Sequence, residues 1–97
     1  MSVSDAFLDH ALHAIADPTR RRILLALKQG TAGKNRPFLC AGDVEECVRL
    51  SQPTVSHHMA ILTKAGLVEA TKKGQWRWYR RNEKAIRQMA KTLRERL

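Results

Sequence analysis

The strongest constraint on this chain is a gap of two residues. A helical pattern over residues 41–48 carries Val44, Cys47 and Val48 on one face, and only Arg49-Leu50 separates it from a second pattern. The second opens at Ser51-Gln52-Pro53, with Ser51 as a capping residue and Pro53 in the first turn, where a missing N–H costs nothing. Its inward stripe is Val55, Met59 and Leu62. Two short amphipathic helices joined this tightly form a helix-turn-helix.

The flanking segments complete the architecture. Residues 4–16 place Phe7, Leu8, Ala11, Leu12 and Ile15 on a single helical stripe that stops at Asp17-Pro18. That pair also starts the next helix, Asp17 as cap and Pro18 in the first turn. This second helix runs through Arg20-Arg21-Arg22 to Lys28, buries Ile23, Leu24 and Leu27, and is expected to stop at Gly30. Residues 30–38 read as a loop. After the fourth helix, closed by Gly66, residues 67–71 and 75–80 are short β-type runs around Lys72-Lys73-Gly74, a hairpin. Asn82 then caps a last helix whose stripe is Ile86, Met89, Ala90, Leu93 and Leu97. The expectation is one domain over residues 1–97: mainly α, five helices and a two-stranded β-hairpin wing in the order α-α-α-α-β-β-α, a winged helix-turn-helix.

Composition narrows the function. The chain has 97 residues and a formal net charge of +9, with 18 Lys and Arg against 9 Asp and Glu. Residues 1–70 hold 8 basic and 7 acidic groups, whereas residues 71–97 hold 10 basic and 2 acidic. A local excess of that size suits a polyanion, of which nucleic acid is the commonest. No apolar run reaches the ~18–20 residues of a membrane span, and no basic segment followed by an apolar stretch marks a secretory signal. Two cysteines are too few for a secreted disulfide scaffold. The expected location is the cytoplasm, and no membrane partner is expected.

The fourth helix supplies the chemistry. With Val55, Met59 and Leu62 inward, Gln52, Thr54, Ser56 and His57 face outward, all able to donate or accept hydrogen bonds at base edges in a major groove. Ser51, Lys72, Lys73, Arg77 and Arg80 are candidates for the phosphate backbone, where contacts add affinity and salt dependence but little sequence information. His58 reads as an inward, hydrogen-bonded residue. Trp76, Trp78 and Tyr79 close the core or stack on bases, and Arg20, Arg21 and Arg22 touch phosphate or form a solvated face. Neighbouring helical residues point about 100° apart, so His57 and His58 do not converge on one metal ion. No nucleophile–base–acid set accompanies them, and an enzyme is not expected.

The segments DPTRRRIL (17–24), LSQPTVSHHMAIL (50–62), KAGLV (64–68) and GQWRWYR (74–80) closely resemble the ArsR/SmtB family of bacterial winged-helix repressors, in the family's order and spacing. The resemblance covers nearly the whole chain. It implies a homodimer that binds an operator near its promoter and releases it when an effector arrives, with Gln52–His57 as the base-reading segment. Without it, spacing and charge give only a winged nucleic-acid binder; the alternative is a non-specific module, RNA-binding or architectural, which would not require the polar outward face of Gln52–His57.

The same resemblance sharpens the effector question. Several members bind a metal or metalloid through Leu-Cys-Val-Cys-Asp-Leu at the third helix; here the stretch is Leu39-Cys40-Ala41-Gly42-Asp43-Val44, with glycine in place of the second cysteine. Soft ions are held by two to four thiolates or imidazoles, so Cys40 alone is no site. Cys47 falls on the inward stripe as a small hydrophobe. A second family site uses His and carboxylates on the last helix, where residues 83–97 offer no His and only Glu83 and Glu95. No cofactor or metal is therefore expected and the effector stays unassigned. The open alternative is Cys40 of one subunit with His10 or His13 of the other. Dimerisation is expected to use the first and last helices, through Phe7, Leu8, Leu12, Ile15, Ile86, Met89, Leu93 and Leu97, because these stripes exceed what so small a core needs.

Overall fold

A computed structural model describes residues 3–33 and 36–97. The elements run α1 (Val3–Ile15), α2 (Pro18–Gly33), β1 (Leu39–Cys40), α3 (Ala41–Val48), α4 (Gln52–Lys64), β2 (Val68–Lys73), β3 (Trp76–Arg81) and α5 (Glu83–Arg96). Helices α2, α3 and α4 enclose a core of Ile23, Leu27, Val44, Val55, Met59 and Leu62, and the sheet closes it with Leu39, Val68 and Tyr79. Asp17 and Asn82 cap as their side chains suggest: Asp17 Oδ2 accepts the Arg20 N–H at 3.0 Å and Asn82 Oδ1 accepts the Ala85 N–H at 3.1 Å.

The wing has three strands where two are expected. They lie in the order β1-β3-β2, all antiparallel, with Leu39 opposite Tyr79 and Cys40 opposite Trp78. A two-residue strand is too short to display alternation, so its only sequence trace is the apolar Leu39. The same residue explains the second correction. Gly30 does not stop α2, which continues to Gly33. A Cβ on Gly30 would lie 2.5 Å from Leu39 Cδ1, so the glycine makes room for a core side chain rather than ending the helix. Of the loop expected over residues 30–38, Lys34 and Asn35 lie outside the described residues.

Two smaller corrections concern a turn and a face. The hairpin turn falls at Gly74-Gln75, so Lys72 and Lys73 belong to β2. Gly74 has φ +61°, the conformation that tight two-residue hairpin turns demand. Cys47 is exposed, not inward: α3 has eight residues, and Val44 and Val48, one turn apart, occupy its buried face. The break between α3 and α4 is made by Arg49 in a left-handed conformation, φ 56° and ψ 47°, whose N–H reaches Glu45 O at 2.8 Å. A non-glycine residue accepts that geometry at a cost of ~1–2 kcal/mol, offset by the tertiary packing of Val48 and Val55 on either side.

Candidate nucleic-acid interface

The first turns of α4 carry Gln52, Thr54, Ser56 and His57 exposed, while Val55 and Met59 beneath them are buried. Ser51 sits at the N-cap in an extended conformation, yet its hydroxyl does not bond a helical N–H; it lies 3.0 Å from the Thr54 hydroxyl. The expected capping position is thus occupied, but both hydroxyls are held at the surface as a pair. An open cleft of about 640 Å³ separates this turn from the wing, and Gln52, Ser56, Gln75, Trp76, Arg77 and Tyr79 line it together with α3.

Strand alternation sorts the basic residues of the wing. Lys72 is directly opposite Arg77, on the face that also carries Ala70 and Tyr79 and looks toward α4. Like charges placed opposite each other in a sheet repel, so this face carries an electrostatic cost that an anion would relieve. Lys73 and Arg80 lie on the other face. Arg80 grips Glu69 Oε2 with Nε at 3.0 Å and Nη2 at 2.8 Å, and its guanidinium stands 4.9 Å from the centre of the Phe38 ring. Of the five sequence candidates for phosphate contact, Arg77 lines the cleft, Lys72 shares its face of the wing and Ser51 immediately precedes the polar turn, while Lys73 and Arg80 lie on the opposite face. The aromatic residues divide too: Tyr79 is core, Trp78 is half-buried, and Trp76 at the wing tip is 58% exposed.

The triple arginine acquires a definite role. Arg20 is only 8% exposed, and its guanidinium donates to Ala14 O at 2.6 Å and His13 O at 3.2 Å. It also lies 3.2 Å from His58 Nδ1. A guanidinium only donates, so Nδ1 is the acceptor and the ring proton sits on Nε2. His58 is inward and bonded as expected, and its ring meets that of His57 edge-on at 5.4 Å between centroids. Arg20 thereby ties the C-terminus of α1 to the helix that carries the exposed polar turn. Arg21 donates to Ile15 O at 2.7 Å and Arg22 to Val48 O at 2.8 Å. All three close helix C-termini, satisfying carbonyls that have no intrahelical partner. The available signal was their place directly after a helix end marked by Asp17-Pro18. The Asp17 carboxyl is held below its ordinary value of 3.8, chiefly by the Arg20 N–H it accepts, with partial burial opposing and the Arg20 charge assisting.

Helices α1 and α5 pack on each other, and Arg96 Nη2 bonds Asp5 Oδ1 at 2.7 Å. Leu8 is buried within the protomer, while Phe7, Leu12, Ile15, Ile86, Met89 and Leu93 remain half-exposed and Leu97 is 96% exposed. In α5 the most buried side chain is Thr92, which accepts a hydrogen bond from Gln88 at 3.0 Å. Cys40 Sγ is 3.2 Å from Asp43 Oδ2, which also accepts the Cys40 N–H. Among the described residues no three His, Cys, Asp or Glu side chains converge as metal ligands.

Comparison with known proteins gives this geometry its context. The profile of the bacterial regulatory protein, arsR family, matches residues 17–70. The transcriptional repressor SdpR of Bacillus subtilis is 39% identical over 75 residues, 77% of this chain and 76% of that one. An ArsR-like transcriptional regulator from Rhodococcus sp. RHA1 superposes with a TM-score of 0.80 at 26% identity, covering 97% of this chain and 82% of the other. A homodimeric winged helix-turn-helix DNA-binding domain from Mycobacterium bovis does so with a TM-score of 0.72 at 24% identity, over 96% and 84%. With a profile spanning more than half its length and a helix-turn-helix that presents a polar turn beside a basic wing, the chain belongs to the arsR family of bacterial regulatory proteins and is a DNA-binding transcriptional regulator, not an enzyme.

Proposed function

We propose that this regulator represses transcription as a homodimer bound to an inverted-repeat operator near its own promoter. Gln52, Thr54, Ser56 and His57 read base edges in the major groove, while Ser51, Lys72 and Arg77 hold the phosphates on either side. Lys73 and Arg80 add only to the general positive field. The observation that carries this reading is the exposed polar turn of α4 set across a cleft from Arg77, which stands opposite Lys72 in the wing. A purely electrostatic binder has no need of four hydrogen-bonding side chains on one turn. The two-fold interface is built from α1 and α5, through Phe7, Leu12, Ile15, Ile86, Met89, Leu93 and Leu97, with Leu8 spent largely on the protomer's own core. The homodimeric state of the Mycobacterium bovis domain supports a homodimer, though not this choice of helices. Such a dimer sets two reading helices on half-sites about one DNA turn apart.

No metal acts as effector in this reading. Cys40 is engaged with Asp43, Cys47 is exposed, and a single thiolate lacks the differential grip on two conformations that release from DNA demands. The regulator works in the cytoplasm; no described helix is long and apolar enough to cross a membrane. Selection of bound sequences from random duplex DNA tests the whole reading. Enrichment of an inverted repeat supports it, and tight binding with no enriched sequence shows a non-specific module instead.

A further inference from the structure

The outer face of the wing carries a second recess, pointing away from the cleft beside α4. It encloses about 230 Å³ between Arg36, Pro37, Phe38, Thr71, Lys73 and Trp78. Two aromatic residues and a proline line it, together with two cations and a threonine. No acidic side chain lines it among the described residues, and Glu69, the carboxylate on the same face of β2, is occupied by Arg80. Lys73 and Arg36 form no ion pair among the described residues.

We propose that this recess binds a small planar aromatic anion: a ring lying on Trp78 and Phe38, with its carboxylate between Arg36 and Lys73. Size, surface and charge each select this class. A cavity of about 150 Å³ lined by apolar side chains admits benzene, so 230 Å³ takes one or two fused rings with a carboxylate. Aromatic walls favour a flat partner with a π-face over an aliphatic one of equal size. Two cations in a recess that no acidic side chain lines favour an anion; the carboxylates Glu69 and Glu83, which share the adjoining recess with Arg36, are engaged by Arg80 and Arg81, and the Thr71 hydroxyl can donate to the ligand. Because this face is turned away from α4, the recess is a ligand site in the free protein and does not depend on how the protein reads DNA.

The test uses the 97-residue chain without DNA, in a Trp76→Phe background that leaves Trp78 as its only tryptophan. Calorimetric titration with 2-naphthoate and benzoate is read beside the NMR shift of the Trp78 indole N–H. Saturable binding with a Trp78 shift is expected. Uncharged 2-naphthol and non-planar cyclohexanecarboxylate should each bind about fivefold or more weakly. Arg36→Gln and Lys73→Gln replace exposed side chains, so the fold should survive, and each should weaken 2-naphthoate about two- to fivefold. Equal binding of the charged and uncharged ligands, or no effect of either substitution, would overturn the proposal. Tighter binding of oligothymidylate than of 2-naphthoate at the same indole would overturn it in favour of single-stranded nucleic acid.

Discussion

Replacing Arg20 with alanine should destabilise the protein far more than replacing either neighbouring arginine. Three bonds are lost, but they are not equivalent. His13 O also accepts the Ala16 N–H at 3.3 Å, so it keeps a partner. Ala14 is fully buried, and its carbonyl, bonded at 2.6 Å, would be left without a donor in a place water reaches poorly. An orphaned buried acceptor costs about 1–3 kcal/mol, and loss of the packed arginine stem and of the His58 contact adds about 1 more. The expected loss is therefore about 2–4 kcal/mol, a large share of the ~5–15 kcal/mol that holds a domain together. For a chain of this length that lowers Tm by roughly 10–20 °C. Arg21→Ala removes a bond of the same kind, to Ile15 O, from an exposed site where water replaces it, and should cost under about 1 kcal/mol. Urea titration of both variants measures the difference. Arg20→Lys should recover only part of it, since one ammonium cannot reproduce a three-way fork. Equal midpoints for Arg20→Ala and Arg21→Ala would refute the reasoning.

Four further outcomes are expected. His57→Ala or Gln52→Ala should cost about 1–3 kcal/mol on the operator and little on random DNA, whereas Arg77→Ala should weaken both alike and flatten the salt slope by about one unit; a binding titration across salt concentrations separates the two patterns. Leu93→Glu should yield monomers with weak operator binding in sedimentation and gel-shift measurements, and a wild type that sediments as a monomer at micromolar concentration yet binds an inverted repeat tightly would contradict the interface. Asp17, with its folded value depressed, contributes stability present above pH 3.8 that is lost as pH falls through the lower folded value, so Asp17→Asn should be less stable at neutral pH and show a shallower loss below about pH 4 in acid titration. Equilibrium dialysis with zinc, cadmium and arsenite should find no stoichiometric micromolar binding; binding abolished by Cys40→Ser, with release of operator DNA, would establish a metal site between subunits.

How much was legible depends on whether a residue's role is local. The order of the helices, the Arg49-Leu50 break, the Asp17 and Asn82 caps and the outward polar turn of α4 follow from periodicity and capping chemistry, which act within a few residues along the chain. The basic C-terminal third follows from counting. Together with the resemblance of residues 17–24 and 50–80, this determined the class of protein and singled out the helix proposed to read DNA.

What the sequence could not carry are roles set by partners distant along the chain. Leu39 becomes a strand only because the edge of β3 is free beside it, and Gly30 is a socket for that leucine rather than a helix end. Arg20 is ambiguous as one of three arginines until Ala14, His13 and His58 surround it. The division of Lys72 and Arg77 from Lys73 and Arg80 rests on register, where a shift of one residue exchanges the two faces of a strand. Cys47 turned outward because a helix of eight residues has one buried face, and Val44 and Val48 already fill it. Local pattern decided which elements form, and tertiary packing decided which side of each element meets water, because burial and hydrogen-bond satisfaction are properties of the assembled core and not of any segment alone.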